Sequence, residues 1–467
     1  MGQKTAAEAK SAKSTAKPSR SSVAAARGRI IRTYGALDVG SFRISAMIIG
    51  ETEMGELLVL GSSQRRSRGI NCGDIAHVKK AAEAIREAIA QAEDDAQTSI
   101  QDVWIAYSGA GLGSDCASVS IPIDGRRVET EDVRDLMRDA AEKIQPFNRF
   151  VLHAQPAHFT LDQAHHVEDP CGLYAEHLGV EVHVTLAEGA LLKNLREAVN
   201  NAHYKVAGVV AAPLASAQVC LTREERELGV ALVEIGCDVT TVSVFYRGML
   251  AGLSMLRMGS NSVTEGIASH FGIREFQAER LKCVAGSASA SPTDHSEMIP
   301  VDGPSNAGSS VHGTDRHGNR VTGQIAIGAD EQNRIPRAPL VAVVTQSMGQ
   351  LMSRIDEALK SHGFSGPLAG QVVMTGGGAE LHGLAEFAQG ALARPVRIAR
   401  IEPFAGLPAA QATPAASTLA GLCLYVANPP EDISQISMPH QDVHRPHGNW
   451  NPFAAAARMW HAARENF

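Results

Sequence analysis

The chain has 467 residues, 44% hydrophobic, 4% aromatic and 20% charged, with a net charge of −7. This length makes about three domain-sized units, and few aromatics beside 43 glycines suit α/β layers with thin helices better than a β-sandwich. Seven cysteines without a C-x-x-C pair give neither a zinc site nor a disulfide framework and fit a reducing compartment, and no apolar run reaches the ~20 residues of a membrane-spanning helix.

Residues 1–32 hold eight Lys/Arg against the single acid Glu8, so they carry +7 and leave −14 for the rest. Rich in Ala, Ser and Lys, this stretch cannot bury enough apolar surface to offset the entropy of ordering it, which predicts a disordered basic tail. A transit peptide and a nucleic-acid arm are the alternatives to a solvated tail. From Tyr34 the pattern changes: GALDVGSFRISAMIIG reads as strand, turn at Gly40-Ser41, and a strand alternating through Ile44, Ala46 and Ile48. Helical spacing of Ile75, Val78, Ala82, Ile85 and Ile89 predicts a helix with Asp74 as N-cap. A strand follows at 103–108. Between about 101 and 184 a small inserted α/β unit is expected, with strands near 117–123 and 180–184 and a helix from Thr130, whose following acids suit an N-terminus. Helix 187–202 and strand 206–210 come next, and the charged stretch 222–228 marks a domain boundary.

Residues 232–252, LVEIGCDVTTVSVFYRGMLAG, outline a hairpin whose tip could hold a phosphate. Helices over 262–284 lead into a Ser/Gly/Pro-rich stretch read as a mobile loop at about 285–320, then a helix at 338–361. QVVMTGGGAELHGLAEFAQGAL reads as a buried strand, three glycines and a helix start, an arrangement that brings backbone N–H groups close to a ligand. After a polar linker, the terminal NWNPFAAAARMWHAARENF places Trp450, Phe453, Ala457, Trp460 and Phe467 on one helical side and Arg458, Glu465 and Asn466 on the other. Arg464 lies near the apolar side, where its stem would snorkel toward headgroups. This predicts an interfacial membrane helix, the alternative being a helix docked on the protein's own body.

Two hairpin turns, one opening each half, followed by a strand-TGGG-helix element, resemble the actin-type ATPase superfamily. RSRGINCGDI (66–75), EVHVTLAEGALLKNLREAV (181–199) and APLASAQVCL (212–221) narrow the resemblance to the bacterial cell-division family FtsA, from about Tyr34 to Phe467. The resemblance implies an α/β, actin-like (ribonuclease-H-like) two-lobed nucleotide clamp. Its first lobe would be 33–100 with 185–227, its inserted small α/β subdomain 101–184, and its second lobe 228–265 with 366–427. A second-lobe subdomain at 266–365, a linker at 428–449 and a membrane-binding helix at 450–467 complete it.

The resemblance further implies an adaptor that binds ATP with Mg²⁺, polymerises head to tail, and tethers FtsZ filaments to the cytoplasmic face of the inner membrane. It would recruit later division proteins and contact anionic lipid, with no nucleic-acid partner. Asp38, Gly40, Ser41 and Arg43 would form the first phosphate turn, Gly236 and Thr240 the second, and Gly259 would flank the nucleotide. Gly376, Gly377 and Gly378 would face the adenosine and phosphates. Asp38 would also help hold the hydrated Mg²⁺, an ion that keeps several waters and prefers one or two carboxylates; a plain turn or cap residue is the alternative.

This chain departs from the family's D-I-G-G-G-T-T-D hairpin, having Glu234, Cys237, Asp238 and Thr241 where two acids and two glycines are expected. Ala212 stands where the family's E-P-L-A-S stretch begins with a carboxylate. Asp238 at the tip is expected to repel a γ-phosphate. Hydrolysis needs positioned acids, so ATPase activity is expected to be weak or absent, with no catalytic residue assigned. A sugar- or acetate-kinase type of phosphotransferase is the competing reading, but it needs an acid as base and has no use for the terminal amphipathic helix. A DnaK-like chaperone would need a substrate domain after the clamp.

Overall fold

The computed structural model describes residues 29–144, 149–162, 164–167, 169–301, 312–314, 320–322, 334–365, 370–401, 405–408, 411–430 and 432–435. Strand β1 (Ile30–Val39) turns back into β2 (Arg43–Thr52) and then β3 (Leu57–Arg66), all antiparallel. A short ribbon, β4 (Ile70–Asn71) and β5 (Asp74–Ile75), leads to helix α1 (Val78–Ala96), which crosses over to β6 (Asp102–Tyr107), parallel to β1. Helix α1 is thin because its buried face is mostly alanine, with Ile85 and Ile89 as its large anchors. Each isoleucine contributes roughly 1.5–3 kcal/mol by leaving water. Its closeness to the sheet depends on Gly61, where a side chain would run into the Ala92 carbonyl.

The second sheet is the inserted one: β7 (Leu112–Pro122), α2 (Thr130–Lys143), β8 (Arg149–Leu161), β9 (Ala164–Val167) and β10 (His177–Glu188), in strand order β7-β10-β8-β9. Helix α3 (Gly189–Asn201) and β11 (Lys205–Ala211) return to the first sheet, which reads β3-β2-β1-β6-β11. Helices α4 (Ala212–Cys220) and α5 (Arg223–Leu228, capped by Thr222) carry the chain to the second half.

That half repeats the first sheet's plan. Strands β12 (Val230–Ile235), β13 (Thr240–Tyr246) and β14 (Met249–Leu256) are antiparallel. After α6 (Asn261–Phe271), α7 (Glu275–Ala285), the short strands β15 (Met298–Pro300), β16 (His312–Thr314), β17 (Arg320–Thr322) and β18 (Arg334–Pro336), and α8 (Arg337–Ser361), β19 (Gln371–Thr375) joins parallel to β12. Helix α9 (Leu384–Leu392) and β20 (Val396–Ile398) complete the order β14-β13-β12-β19-β20, and α10 (Ser417–Ala427) follows. Each main sheet therefore has three antiparallel strands followed by two parallel ones.

Helices α4 and α10 pack on each other between the halves, and Gly421 sets their spacing, because a methyl there would overlap the Ala215 carbonyl. Residues of both sheets join these helices in one continuous core.

Several sequence expectations shift. Residues 1–28 lie outside the described residues, but β1 already begins at Ile30, inside the expected tail of 1–32. Asp74 is not a helix cap: His77 holds that position, and the Asp74 carboxylate accepts from the Tyr107 hydroxyl at 2.9 Å. Strand β6 pairs with β1 and β11, so the inserted sheet opens at Leu112 rather than near 101; its apolar run fits either sheet, and only pairing decides. The expected boundaries at 184/185 and 265/266 fall inside β10 and α6.

Part of the expected mobile loop is built. Ser291 caps a 3-10 turn at Pro292–His295, Asp294 pairs with Arg337 at 2.9 Å, and β15 pairs with β18. Residues 302–311 and 315–319 lie outside the described residues, as does the segment 450–467 expected to form the membrane helix, with its Trp450, Phe453, Trp460, Arg464 and Phe467.

Candidate functional site

The repeated topology puts the β1–β2 turn, the β12–β13 turn and the turn after β19 around the α4–α10 junction. In the first turn the Gly40 amide donates to the Arg43 carbonyl at 3.1 Å, and Ser41 Oγ accepts from the Gly73 amide at 2.8 Å. Arg43 reaches Gln64 Oε1 at 3.3 Å through one nitrogen and the Ala415 carbonyl at 3.1 Å through another, so it spans from the first sheet to the segment before α10.

Asp38 ends β1 just before this turn. Burial pushes its carboxyl up to about 7, the negative charge of Glu234 adds to the effect, and Arg43 opposes it. Glu234, one strand into the second half, is likewise raised by burial, against hydrogen bonds donated by Thr418 Oγ1 and by Ser216 Oγ at 3.4 Å. A desolvated carboxyl at Asp38, further raised by the charge of Glu234, fits a site for a divalent cation, whose charge would let it ionise.

In the second turn the Gly236 amide donates to the Val239 carbonyl at 2.9 Å. The carbonyls of Gly236 and Cys237 accept from the Ser260 and Asn261 amides at 2.9 and 2.8 Å, at the start of α6. Gly259 is required by this packing: a Cβ there would lie 2.6 Å from the Gly236 carbonyl oxygen. The Thr240 hydroxyl donates to the Met258 carbonyl at 2.8 Å, and Thr241 is buried against Met255. Asp238 does not stand as a free anion at the tip: it is buried, and its Oδ2 accepts from the Cys72 amide at 3.4 Å, across the gap between the halves.

In the third turn the glycines have separate reasons. Gly376 has φ +84°, a left-handed conformation, and donates to the Pro414 carbonyl at 3.1 Å. Gly378 presses on Ile235, where a Cβ would sit 3.0 Å from the Ile235 Cβ. Gly377 is exposed, and the nearest atom to an added Cβ is Ala415 Cβ at 3.9 Å. It is therefore the one of the three not needed for packing. Between Thr375 and Leu384 the chain makes a 3-10 turn at Gly377–Glu380 before helix α9 starts.

Sequence reading missed the segment 411–418, on which the first turn, the third turn and Glu234 of β12 lean, together with Ser216. Its only signal was the small-residue stretch STLAG entering α10, which permits a close helix crossing. A recess of about 260 Å³ lined by Asp115, Lys143, Val184 and Leu186 lies on the inserted sheet and shares no residue with the three turns. Among the described residues no His/Cys/Asp/Glu group of three or more forms a metal-binding cluster, and no helix is long and apolar enough to cross a membrane.

Residues 231–421 match the family model for cell division protein FtsA, and residues 109–186 match that for the SHS2 domain inserted in FtsA. The cell division protein FtsA of Agrobacterium fabrum is 32% identical over 434 residues, covering 91% of this chain and 93% of that protein. The chain belongs to the FtsA family of cell division proteins. Its FtsA relative from Rhizobium meliloti is 33% identical over 83% of this chain and 86% of that protein, and that from Escherichia coli K12 is 28% identical over 83% and 89%. Among solved structures, a chain of the PilM-PilN type IV pilus biogenesis complex superposes with a TM-score of 0.58 at 16% identity, covering 85% of this chain and 99% of that one. The fold is that of the actin-like ATPases, with an SHS2 domain inserted into the first lobe.

Proposed function

We propose that this FtsA-family chain is a membrane adaptor: it binds ATP with Mg²⁺ between its lobes, polymerises head to tail, and tethers FtsZ filaments to the cytoplasmic face of the inner membrane at the division site. Recruitment of later division proteins belongs to the same reading. The observation that carries the nucleotide part is the convergence of three glycine-bearing turns with Asp38 on the junction of the two lobes. Gly40, Ser41 and Arg43 of the first turn, Gly236 and Thr240 of the second, and Gly376 to Gly378 would enclose the phosphates and adenosine, with Gly259 holding the second turn in shape. Asp38 would face the hydrated Mg²⁺, which when bound supplies charge neutralisation for the phosphates.

Weak turnover follows from what replaces the expected acids. Ala212 is wholly buried and offers no oxygen to a water, and Thr241 is buried beneath Met255. Glu234 is hydrogen-bonded to the lobe-junction helices rather than free as a base. Orientation of an attacking water needs such groups. Membrane attachment would come from 450–467, with Trp450, Phe453, Trp460 and Phe467 in the headgroup layer and Arg464 toward anionic lipid. One such helix binds reversibly; polymerisation would multiply weak contacts.

The test is co-sedimentation of purified FtsZ with anionic liposomes. FtsZ should pellet with the vesicles in the presence of the full chain and ATP, and remain in the supernatant without the chain. FtsZ left in solution while the chain itself pellets would contradict the tether.

A further inference from the structure

Helix α10 has its two ends in two different networks. At its start, the segment 414–418 is held by the first turn, by β12 and by the end of β19 with the third turn. Arg43 donates to the Ala415 carbonyl at 3.1 Å; Glu234 accepts from Thr418; the Pro414 carbonyl accepts from Thr375 Oγ1 and the Gly376 amide, both at 3.1 Å. Thr375 Oγ1 also bonds Ser417 Oγ at 2.9 Å.

At its far end, Tyr425 and the segment after the helix are fixed to the inserted domain. Asp432 Oδ2 lies 3.0 Å from His153 Nδ1 on β8, and its Oδ1 accepts from the Ala154 and Ser434 amides, both at 2.9 Å. The Tyr425 hydroxyl also reaches His153 Nδ1, at 3.1 Å, and Ile433 is buried in the insert's core. His153 Nε2 accepts from the Ala211 amide at 3.0 Å, so its Nδ1 carries the proton and donates to Asp432. Between the ends, α10 is held against α4 with no room for even a methyl at Gly421. A close-packed helix of this kind moves as a body rather than bending at one end.

We infer that α10 is a coupling rod: nucleotide in the cleft fixes its start through Ala415, Ser417 and Thr418, and thereby sets how firmly Asp432 clamps the inserted domain. This deepens the nucleotide-binding reading and rests on it. Coupling of this sort is reciprocal, so loosening the clamp must weaken nucleotide binding by the same factor that nucleotide tightens the clamp.

The experiment is amide hydrogen exchange on the full chain with and without Mg-ATP, read at Ala154 and Ser434, whose amides report the clamp directly. Exchange at both should slow at least about fivefold with ATP, the lower end of ordinary coupling. Thr418→Val, which keeps the shape and removes the hydroxyl, should still bind ATP yet lose that protection. Asp432→Asn should lower ATP affinity by the factor seen in the exchange; Tyr425→Phe, a gentler change, should do so by less. ATP binding with unchanged exchange at Ala154 and Ser434 overturns the coupling while leaving the nucleotide reading intact. A full chain that binds no ATP overturns both.

Discussion

Gly421→Ala tests whether the lobes are joined through a helix crossing of fixed spacing. The added Cβ would lie 2.5 Å from the Ala215 carbonyl carbon and 3.1 Å from the Ser216 nitrogen, on the backbone of α4. Carbon atoms pack at about 3.5–4.0 Å, so α10 must withdraw by about 1 Å or more. Backbone cannot swing aside as a side-chain end can, and overpacking of a close-packed core costs about 1–3 kcal/mol. Because it overlaps the Ala215 carbonyl oxygen, the added Cβ takes the upper end of that range, and alanine's helix propensity returns up to about 1 kcal/mol, leaving a net loss of about 2 kcal/mol. Gly390→Ala in α9 is the matched control: nothing lies within 4 Å of its added Cβ, so only the propensity gain of about 0.5–1 kcal/mol should appear. Urea unfolding followed by far-UV circular dichroism gives both values. Gly421→Ala as stable as the unmodified chain, with Gly390→Ala stabilised as expected, would show that α4 and α10 are not held at the spacing described.

Other consequences are separable. Gly377→Val should abolish ATP binding measured by calorimetry while leaving the unfolding midpoint nearly unchanged, because its Cβ meets no packed neighbour; full affinity in the variant would remove the third turn from the site. His183 is buried without a hydrogen-bond partner at either ring nitrogen, and its value is pushed down to about 4 by burial, with His362 and His153 adding and Asp115 opposing. The unfolded chain therefore takes up a proton from about pH 6.5 downward that the folded chain refuses until about pH 4, so stability held above pH 6.5 is lost through that window. Between pH 7 and 5 this amounts to about 2 kcal/mol, which His183→Phe should remove from the pH dependence of unfolding; identical pH slopes in both proteins would refute it. Deleting 450–467 removes two tryptophans and two phenylalanines, each contributing roughly 1.5–3 kcal/mol on leaving water, and should release the chain from anionic vesicles. Undiminished pelleting of the truncated chain would place membrane attachment elsewhere.

The repeated hairpins and the TGGG turn were legible because glycine and apolar alternation are local signals, and GALDVGSFRISAMIIG and QVVMTGGG fold as their patterns require. Strand ownership was not: β6 reads like any buried strand, and its place between β1 and β11 is decided by pairing more than sixty residues apart in sequence. Side-chain direction was also hidden. Asp74 sits where a cap belongs but bonds Tyr107, and Asp238 looks like a charge at a turn's tip but is buried on the Cys72 amide. Glu stands at 234 where the family has Asp, and the sequence alone did not show what the longer side chain reaches. In the structure it accepts from Ser216 of α4 and from Thr418 of α10, the latter 184 residues away in sequence.

The most direct test of the account is equilibrium binding of Mg-ATP to the purified full chain, followed on the same sample by phosphate release. The account predicts saturable binding with release far slower than about 1 per second, the lower range of ordinary enzymes. No binding, or release at that rate or faster, would contradict it.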